Sequence, residues 1–190
     1  MSTPPLVRCA WAANGDAEMQ AYHDTEWGVP QHDDSALFEL LSLEGAQAGL
    51  SWRTILVRRK AYREAYHGFE IARVARMTDA ELERLLANPA IIRNRLKVFS
   101  VRDNARVALD VVREKGSLDA FLWSFVGGVP LVNKWTEQKQ VPAQTAQSDQ
   151  MSKALRKRGF RFVGSTICYA FMQATGMVDD HLITCFRYSR

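Results

Sequence analysis

The chain has 190 residues and a mass of 21.5 kDa, a length that suits a single domain over 1–190 and can bury a core without disulfides. Hydrophobic residues make up 47% and charged residues 24%, which excludes a disordered, collagen-like or low-complexity protein. The net charge of +4 hints only weakly at an anionic partner. Its distribution says more, because cations gather in 53–63, 93–106 and 153–161, either as solvated helix faces or as a surface that meets phosphates.

No apolar run approaches the roughly 20 residues needed to cross a bilayer. Residues 1–11 carry one Arg and no apolar stretch of the signal-peptide kind. The expectation is a soluble, cytoplasmic protein with no membrane partner. The three cysteines, Cys9, Cys168 and Cys185, form an odd set that suits thiols or metal ligands in a reducing compartment better than bridges.

Helical periodicity dominates the chain. The Asp33–Asp34–Ser35 run offers N-cap residues for an amphipathic helix through Leu37, Leu40, Leu41 and Ala48, ending near Gly49. Ser51 can cap a second helix through Ile55, Leu56, Tyr62 and Tyr66, stopped by Gly68. Thr78 with Glu81 fits a capping box that opens a short helix carrying Leu82, Leu85 and Leu86. Asn88–Pro89 breaks that helix, and a long one runs from about Asn94 to Gly116. Another spans 118–125 before Gly127–Gly128. The polar stretch 129–147 reads as the longest loop. Ser148 then caps a basic helix stopped at Gly159, and Ser165 caps a helix over 166–175. The architecture read from this order is all-α, with two helical lobes.

Three constellations carry chemistry. His181 and Cys185 are spaced H-x3-C, and Cys9 and His23 lie near the other end of the chain. Together they would make a tetrahedral zinc site joining the termini; spacing alone leaves two unrelated pairs equally open. Cys168, among Ile167, Tyr169 and Phe171, reads as core. On the helix after Asp34, the apolar stripe Leu37, Leu41, Glu44, Ala48 places a carboxylate on the core-facing side. A buried carboxylate needs a partner or a use, so Glu44 is either satisfied by an Arg or a backbone N–H, or functional. Trp52 follows closely, and Trp11, Tyr22 and Trp27 lie near the N-terminal ligand pair, a set that suits a flat, partly cationic heterocycle. Finally, 82–97 reads as helix, Asn-Pro hairpin and helix, with Arg93, Arg95 and Lys97 beside it. That is an anion site for DNA phosphates, or an ordinary turn between helices.

Taken together, Ala21-Tyr-His-Asp-Thr-Glu-Trp-Gly-Val-Pro30, Leu43-Glu-Gly-Ala-Gln-Ala-Gly-Leu-Ser-Trp52, Trp123-Ser-Phe-Val126 and the block from Ser152 to Tyr169 closely resemble the bacterial DNA-3-methyladenine glycosylase I family. The resemblance covers nearly the whole chain. It implies a helix-hairpin-helix glycosylase fold, with the hairpin at about 79–114, and one structural Zn2+ held by Cys9, His23, His181 and Cys185. It also implies a base-reading Glu44, a stacking Trp52, a pocket Tyr22 and a further pocket aromatic at Trp11. Gly49 and Leu50 would approach the gap left by the extruded base, and Arg93, Arg95 and Lys97 would flank the DNA anchor. The implied activity is base-excision repair of double-stranded alkylated DNA by a monomer: the base is flipped out, and hydrolysis of the N-glycosidic bond of 3-methyladenine leaves an abasic site. Ionised Glu44 would accept from the exocyclic amine and favour the cationic ring, serving recognition first and catalysis second. Asn88-Pro89-Ala90 departs from the Gly-rich hairpin of related glycosylases, so phosphate contact would rest more on side chains. The catalytic aspartate of those relatives has no assigned counterpart. A lesion-binding module that does not cut, or a glycosylase for another alkylated base such as 3-methylguanine, are the alternatives.

Overall fold

The protein was analysed as a computed structural model that describes residues 6–188; the expectation for residues 1–11 therefore lies partly outside the described residues. Two short helices, α1 (Ala10–Ala13) and α2 (Ala17–Thr25), lead into α3 (Asp34–Gln47), which is buried along its whole central run from Leu37 to Ala46. The amphipathic stripe expected there is absent. A helix buried on all sides belongs in the centre of the molecule, and α3 packs against the later helices α8 (Arg95–Lys115), α9 (Leu118–Trp123) and α11 (Ser165–Ala174). Asp33 caps α3 by accepting from the Ala36 N–H at 2.8 Å. Asp34, one residue on, turns outward to accept from the N–H groups of Leu118 and Asp119, tying α9 to the start of the central helix.

The single helix expected over 52–66 is instead α4 (Trp52–Leu56) and α5 (Arg59–Ala65). Ser51 caps the first as expected, accepting from Thr54 N–H. The break arises at Arg58, whose N–H bonds back three residues to Ile55 while its guanidinium takes the Thr54 carbonyl, so the next helical turn does not propagate. The five-residue α6 (Ile71–Ala75) was not expected, being too short for its period to show. The capping box of α7 (Asp79–Leu86) is present in both directions, and Asn94 caps α8. Thr145, not Ser148, caps α10 (Ala146–Arg158), and Ser148 reciprocates from the third position. Gly164, with no side-chain cap, precedes α11.

The chain is mostly helical rather than purely so. Within the stretch read as a loop, β1 (Leu131–Val132) pairs in parallel with β2 (Val178–Asp179), fixing the loop to the C-terminal segment. No helix of the described residues is long and apolar enough to cross a membrane. Cys168 lies fully buried in the core, its thiol donating to the Val163 carbonyl at 3.4 Å.

Just after α11, Gly176 sits at φ +69° with its α-carbon against the 29–30 backbone, where a Cβ would lie 2.5 Å from Val29 C and Pro30 N. Both the dihedral and the backbone contact exclude a side chain. Gly176→Ala should therefore destabilise the fold by about 2–4 kcal/mol, lowering the midpoint of a thermal melt by several degrees. An unshifted melt would contradict this packing.

Candidate active site

Two carboxylates on α3 are buried, and they have opposite fates. Glu39 is held by Arg59 and Arg63, the latter donating to both oxygens at 2.9 Å. Arg59 in turn reaches Glu26. Glu44, five residues on, is 3% exposed, and its Oε2 has no hydrogen-bond partner among the described residues. No Arg reaches it. Burial pushes its carboxyl up to about 8, so at neutral pH the ligand-free protein holds Glu44 mainly protonated. In a dry site with no cation, charge separation costs more than keeping the proton, and the ionised Glu44 of the sequence reading belongs to an occupied cavity.

Glu44 opens into a cavity of ≈ 350 Å³ whose walls include Trp11, Tyr22, Trp27, Trp52, Gln47 and Gln173. That volume lies at the small end of the roughly 300–1,000 Å³ of small-molecule sites. Trp52, at the start of α4, and Tyr22, on α2, tilt toward each other with ring centroids 5.3 Å apart. The indole N–H of Trp52 is buried without a partner. Burial, reinforced by Glu44, raises the Tyr22 phenol well above its usual range, so it remains an O–H. The four pocket residues singled out from the sequence thus line one cavity. Gln47, Gln173 and Gln138 also line it and were not expected. Gln138 comes from the 129–147 stretch, which the sequence marks only as a loop.

Behind the aromatic wall lies a cluster of metal-ligand side chains. One donor atom each from Cys9, His23 and Cys185, all buried, lie within 4.8 Å of one another. His181, the fourth residue of the expected set, is 1% exposed, with its ring centroid 5.1 Å from that of His23. Its Nε2 is buried with no hydrogen-bond partner, while its Nδ1 lies 2.8 Å from Asp179 Oδ1. His23 repeats the arrangement, with Nδ1 2.8 Å from Asp24 Oδ1 and Nε2 3.4 Å from the Cys185 sulfur. A carboxylate on each Nδ1 fixes the tautomer and leaves each Nε2 to bind a metal. Burial keeps His23 on the neutral side and pushes the Cys9 thiol up to about 12, so an ion entering would have to displace thiol protons. The Cys9, His23 and Cys185 donors could hold a metal ion, and His181, outside that group, lies beside it with its Nε2 unpartnered among the described residues. Asp24, next to His23, and Asp179, two residues before His181, were the unused signal.

Site and cluster share walls. Tyr22 and His23 are consecutive on α2, one facing the cavity and the other the sulfur atoms. Trp11 meets the His23 ring edge-on at 5.3 Å and Trp27 at 5.2 Å, and Trp27 meets His181 at 4.6 Å. Gly28, at φ +77°, lies so close to His181 that a Cβ would be 2.6 Å from the ring.

The residues expected at a phosphate surface divide. Gly49, at φ +77° with open space around it, and Leu50, 41% exposed, form a protruding turn after α3. Arg93 is exposed between α7 and α8. Arg95 pairs with Glu83 and lies over Phe99. Lys97 is not the free surface cation expected: its ammonium donates to the carbonyls of Ala46 and Ala48 at 2.9 and 2.6 Å, closing the C-terminal end of α3. Elsewhere the basic clusters are partly spent on Asp16, Glu39, Asp79 and Glu114.

The methyladenine glycosylase family model matches residues 11–188. DNA-3-methyladenine glycosylase 1 of Escherichia coli (strain K12) is 47% identical over 96% of this chain and 97% of its own. The DNA-3-methyladenine glycosylase of Haemophilus influenzae is 44% identical over 94% of this chain and 96% of its own. Among solved structures, a 3-methyladenine DNA glycosylase I superposes with a TM-score of 0.93 at 47% identity, covering 96% of this chain and all of that one. A variant of such an enzyme in complex with 3-methyladenine gives 0.93 at 36% identity, over 96% of this chain and 98% of that one. At these identities and coverages the chain belongs to the methyladenine glycosylase family.

Proposed function

We propose that this protein is a monofunctional DNA glycosylase that releases 3-methyladenine from double-stranded alkylated DNA and leaves an abasic site. The observation that carries the reading is the unpartnered, buried Glu44 carboxyl in an aromatic-walled cavity of a chain from this family. A base methylated at N3 in DNA is cationic, and its glycosidic bond is already weakened. The bonding pair leaves with the base, which departs neutral, and water captures the sugar carbon. The protein's work is to extract the nucleotide and to tell the cation from ordinary adenine.

Glu44 supplies that discrimination. A cationic ring entering the cavity brings the counter-charge the site lacks, so the carboxyl gives up its proton and becomes a carboxylate that accepts from the exocyclic amine. Plain adenine brings no charge and draws out no carboxylate. Trp52 stacks on the ring, Tyr22 presents its O–H at the edge, and Trp11 closes the wall. Glu44 is thus a recognition group whose charge favours the cationic base while it is still bonded to the sugar, with catalysis following from selective binding.

The α7–α8 pair and its Asn88–Pro89 turn serve as the helix-hairpin-helix anchor, with Arg93 and Arg95 toward phosphate and Gly49–Leu50 entering the gap in the duplex. The protein acts as a monomer of one domain in two helical lobes. Cys9, His23, His181 and Cys185 would hold a zinc ion whose role is structural: it would tie the two ends of the chain together and stiffen the wall formed by Trp11 and Trp27.

Incubating the protein with methylated duplex and identifying the released base tests the reading directly: free 3-methyladenine is expected, and DNA binding without base release would refute it. Glu44→Gln should lower that release about 10- to 100-fold, the loss expected for one buried charge-assisted hydrogen bond. The same variant should gain stability relative to the parent as pH rises. Native Glu44 holds its proton up to about 8, whereas the unfolded chain loses it near 4.5, so the native fold loses stability as pH rises through that window. The difference in melting temperature between Glu44→Gln and the parent should therefore grow from pH 4.5 to 8, and a difference independent of pH would remove the proton from Glu44. Metal analysis should find about one zinc per chain, falling in His181→Ala with a lower melting temperature. A folded, active, zinc-free preparation would refute the staple.

A further inference from the structure

Asp180, 2% exposed, lies just beyond β2, and its carboxylate collects four donors. Trp135 Nε1 and the Tyr169 hydroxyl donate at 2.6 Å, Asn133 Nδ2 at 2.7 Å and Gln173 Nε2 at 2.8 Å. Asn133 and Trp135 belong to the stretch pinned by β1; Tyr169 and Gln173 lie one turn apart on α11. A carboxylate accepts and does not donate. Gln173 is therefore compelled to turn its NH2 toward Asp180, whichever way an unconstrained amide would rotate. Gln173 also lines the cavity beside Glu44, Tyr22 and Trp52, and with its NH2 committed to Asp180 its carbonyl oxygen is the amide atom left to serve a ligand there.

We propose that Gln173, held in one orientation by Asp180, is a specificity-determining acceptor in the cavity, taking a hydrogen bond from the amine-bearing edge of the bound base and opposing a base that carries a carbonyl there. The inference rests on the reading of this cavity as the base site. An amine on the ligand meets the Gln173 carbonyl as donor to acceptor. A carbonyl in the same position sets oxygen against oxygen, and the amide cannot flip to repair this without leaving Asp180 one donor short. Gln173 would touch the ligand, whereas Asp180 acts through it as a positioning residue.

Calorimetric binding of two free bases to the full chain tests this: 3-methyladenine, and 3-methylhypoxanthine, which carries a carbonyl in place of the amine. Gln173→Leu should weaken 3-methyladenine about 3- to 10-fold and bring the two affinities closer together. Asp180→Asn, which can offer a donor in place of an acceptor, should release the amide to rotate and raise the relative affinity for the carbonyl base. That gain should vanish in the Asp180→Asn, Gln173→Leu double variant, because the group that rotates is gone. Since Asp180 adjoins His181, metal content and melting temperature are measured for each variant, and Gln173→Leu alone suffices if Asp180→Asn does not fold. An unchanged ratio of the two affinities in Gln173→Leu overturns the proposal while leaving the cavity a base site. If the native protein binds neither base, the base-site reading falls, and this one with it.

Discussion

A carboxyl with no cation to pair with, on a helix buried from every side, is the constraint around which the rest of this protein is arranged. Desolvating Glu44 is costly, and the fold does nothing locally to relieve it. Glu39, one and a half turns earlier on the same helix, shows the ordinary remedy, with two arginines closing on it. The contrast matters because both side chains are buried on one helix, and only Glu39 has cations within reach. Glu44 keeps its proton instead; under the proposed function, a cationic ligand would supply the missing counter-charge.

Such a cavity works only if its walls hold still. The aromatic rings around Glu44 are backed by the imidazoles of His23 and His181, which are themselves oriented by Asp24 and Asp179. The cluster that brings Cys9 near Cys185 is therefore the rear surface of the pocket as well as a link between distant parts of the chain. A metal held there would stiffen both at once. On the opposite side, Asp180 gathers the 129–147 stretch, α11 and Gln173 onto one carboxylate, a network whose members are all satisfied and which therefore rigidifies the second wall.

The cations follow the same logic of local use. Many that a composition-level reading would assign to an anionic partner are committed within the fold. Lys97 closes the carbonyl end of α3, Arg102 joins α8 to Asp79 at the start of α7, and Arg158 links α10 to Glu114. Lys97 also couples the end of the Glu44 helix to the first turn of α8, so the protruding Gly49–Leu50 turn and the hairpin are mechanically connected. Arg93 stays exposed between α7 and α8, as do Lys153, Arg156 and Lys157 on α10.

Local sequence determined the features that local physics controls. The caps at Asp33, Ser51, Thr78 and Asn94 mark helix starts, because a side-chain oxygen two or three residues from an orphan N–H needs no tertiary help. The break at Asn88–Pro89 and the stops at Gly116 and Gly159 follow from backbone geometry alone. The family resemblance gave roles to cavity residues and to sulfur and imidazole donors already singled out from the sequence, although spacing by itself left the donors as two pairs. Tertiary structure decided everything that depends on which groups face one another. It separated the paired Glu39 from the unpaired Glu44, which share a helix and a degree of burial. It turned Lys97 inward, split the helix at Arg58, and drew Gln138 and Gln173 to the cavity from segments with no common pattern. A carboxylate's charge state and a cation's availability are set by neighbours distant in sequence, through desolvation and hydrogen bonding that exist only once the chain has packed.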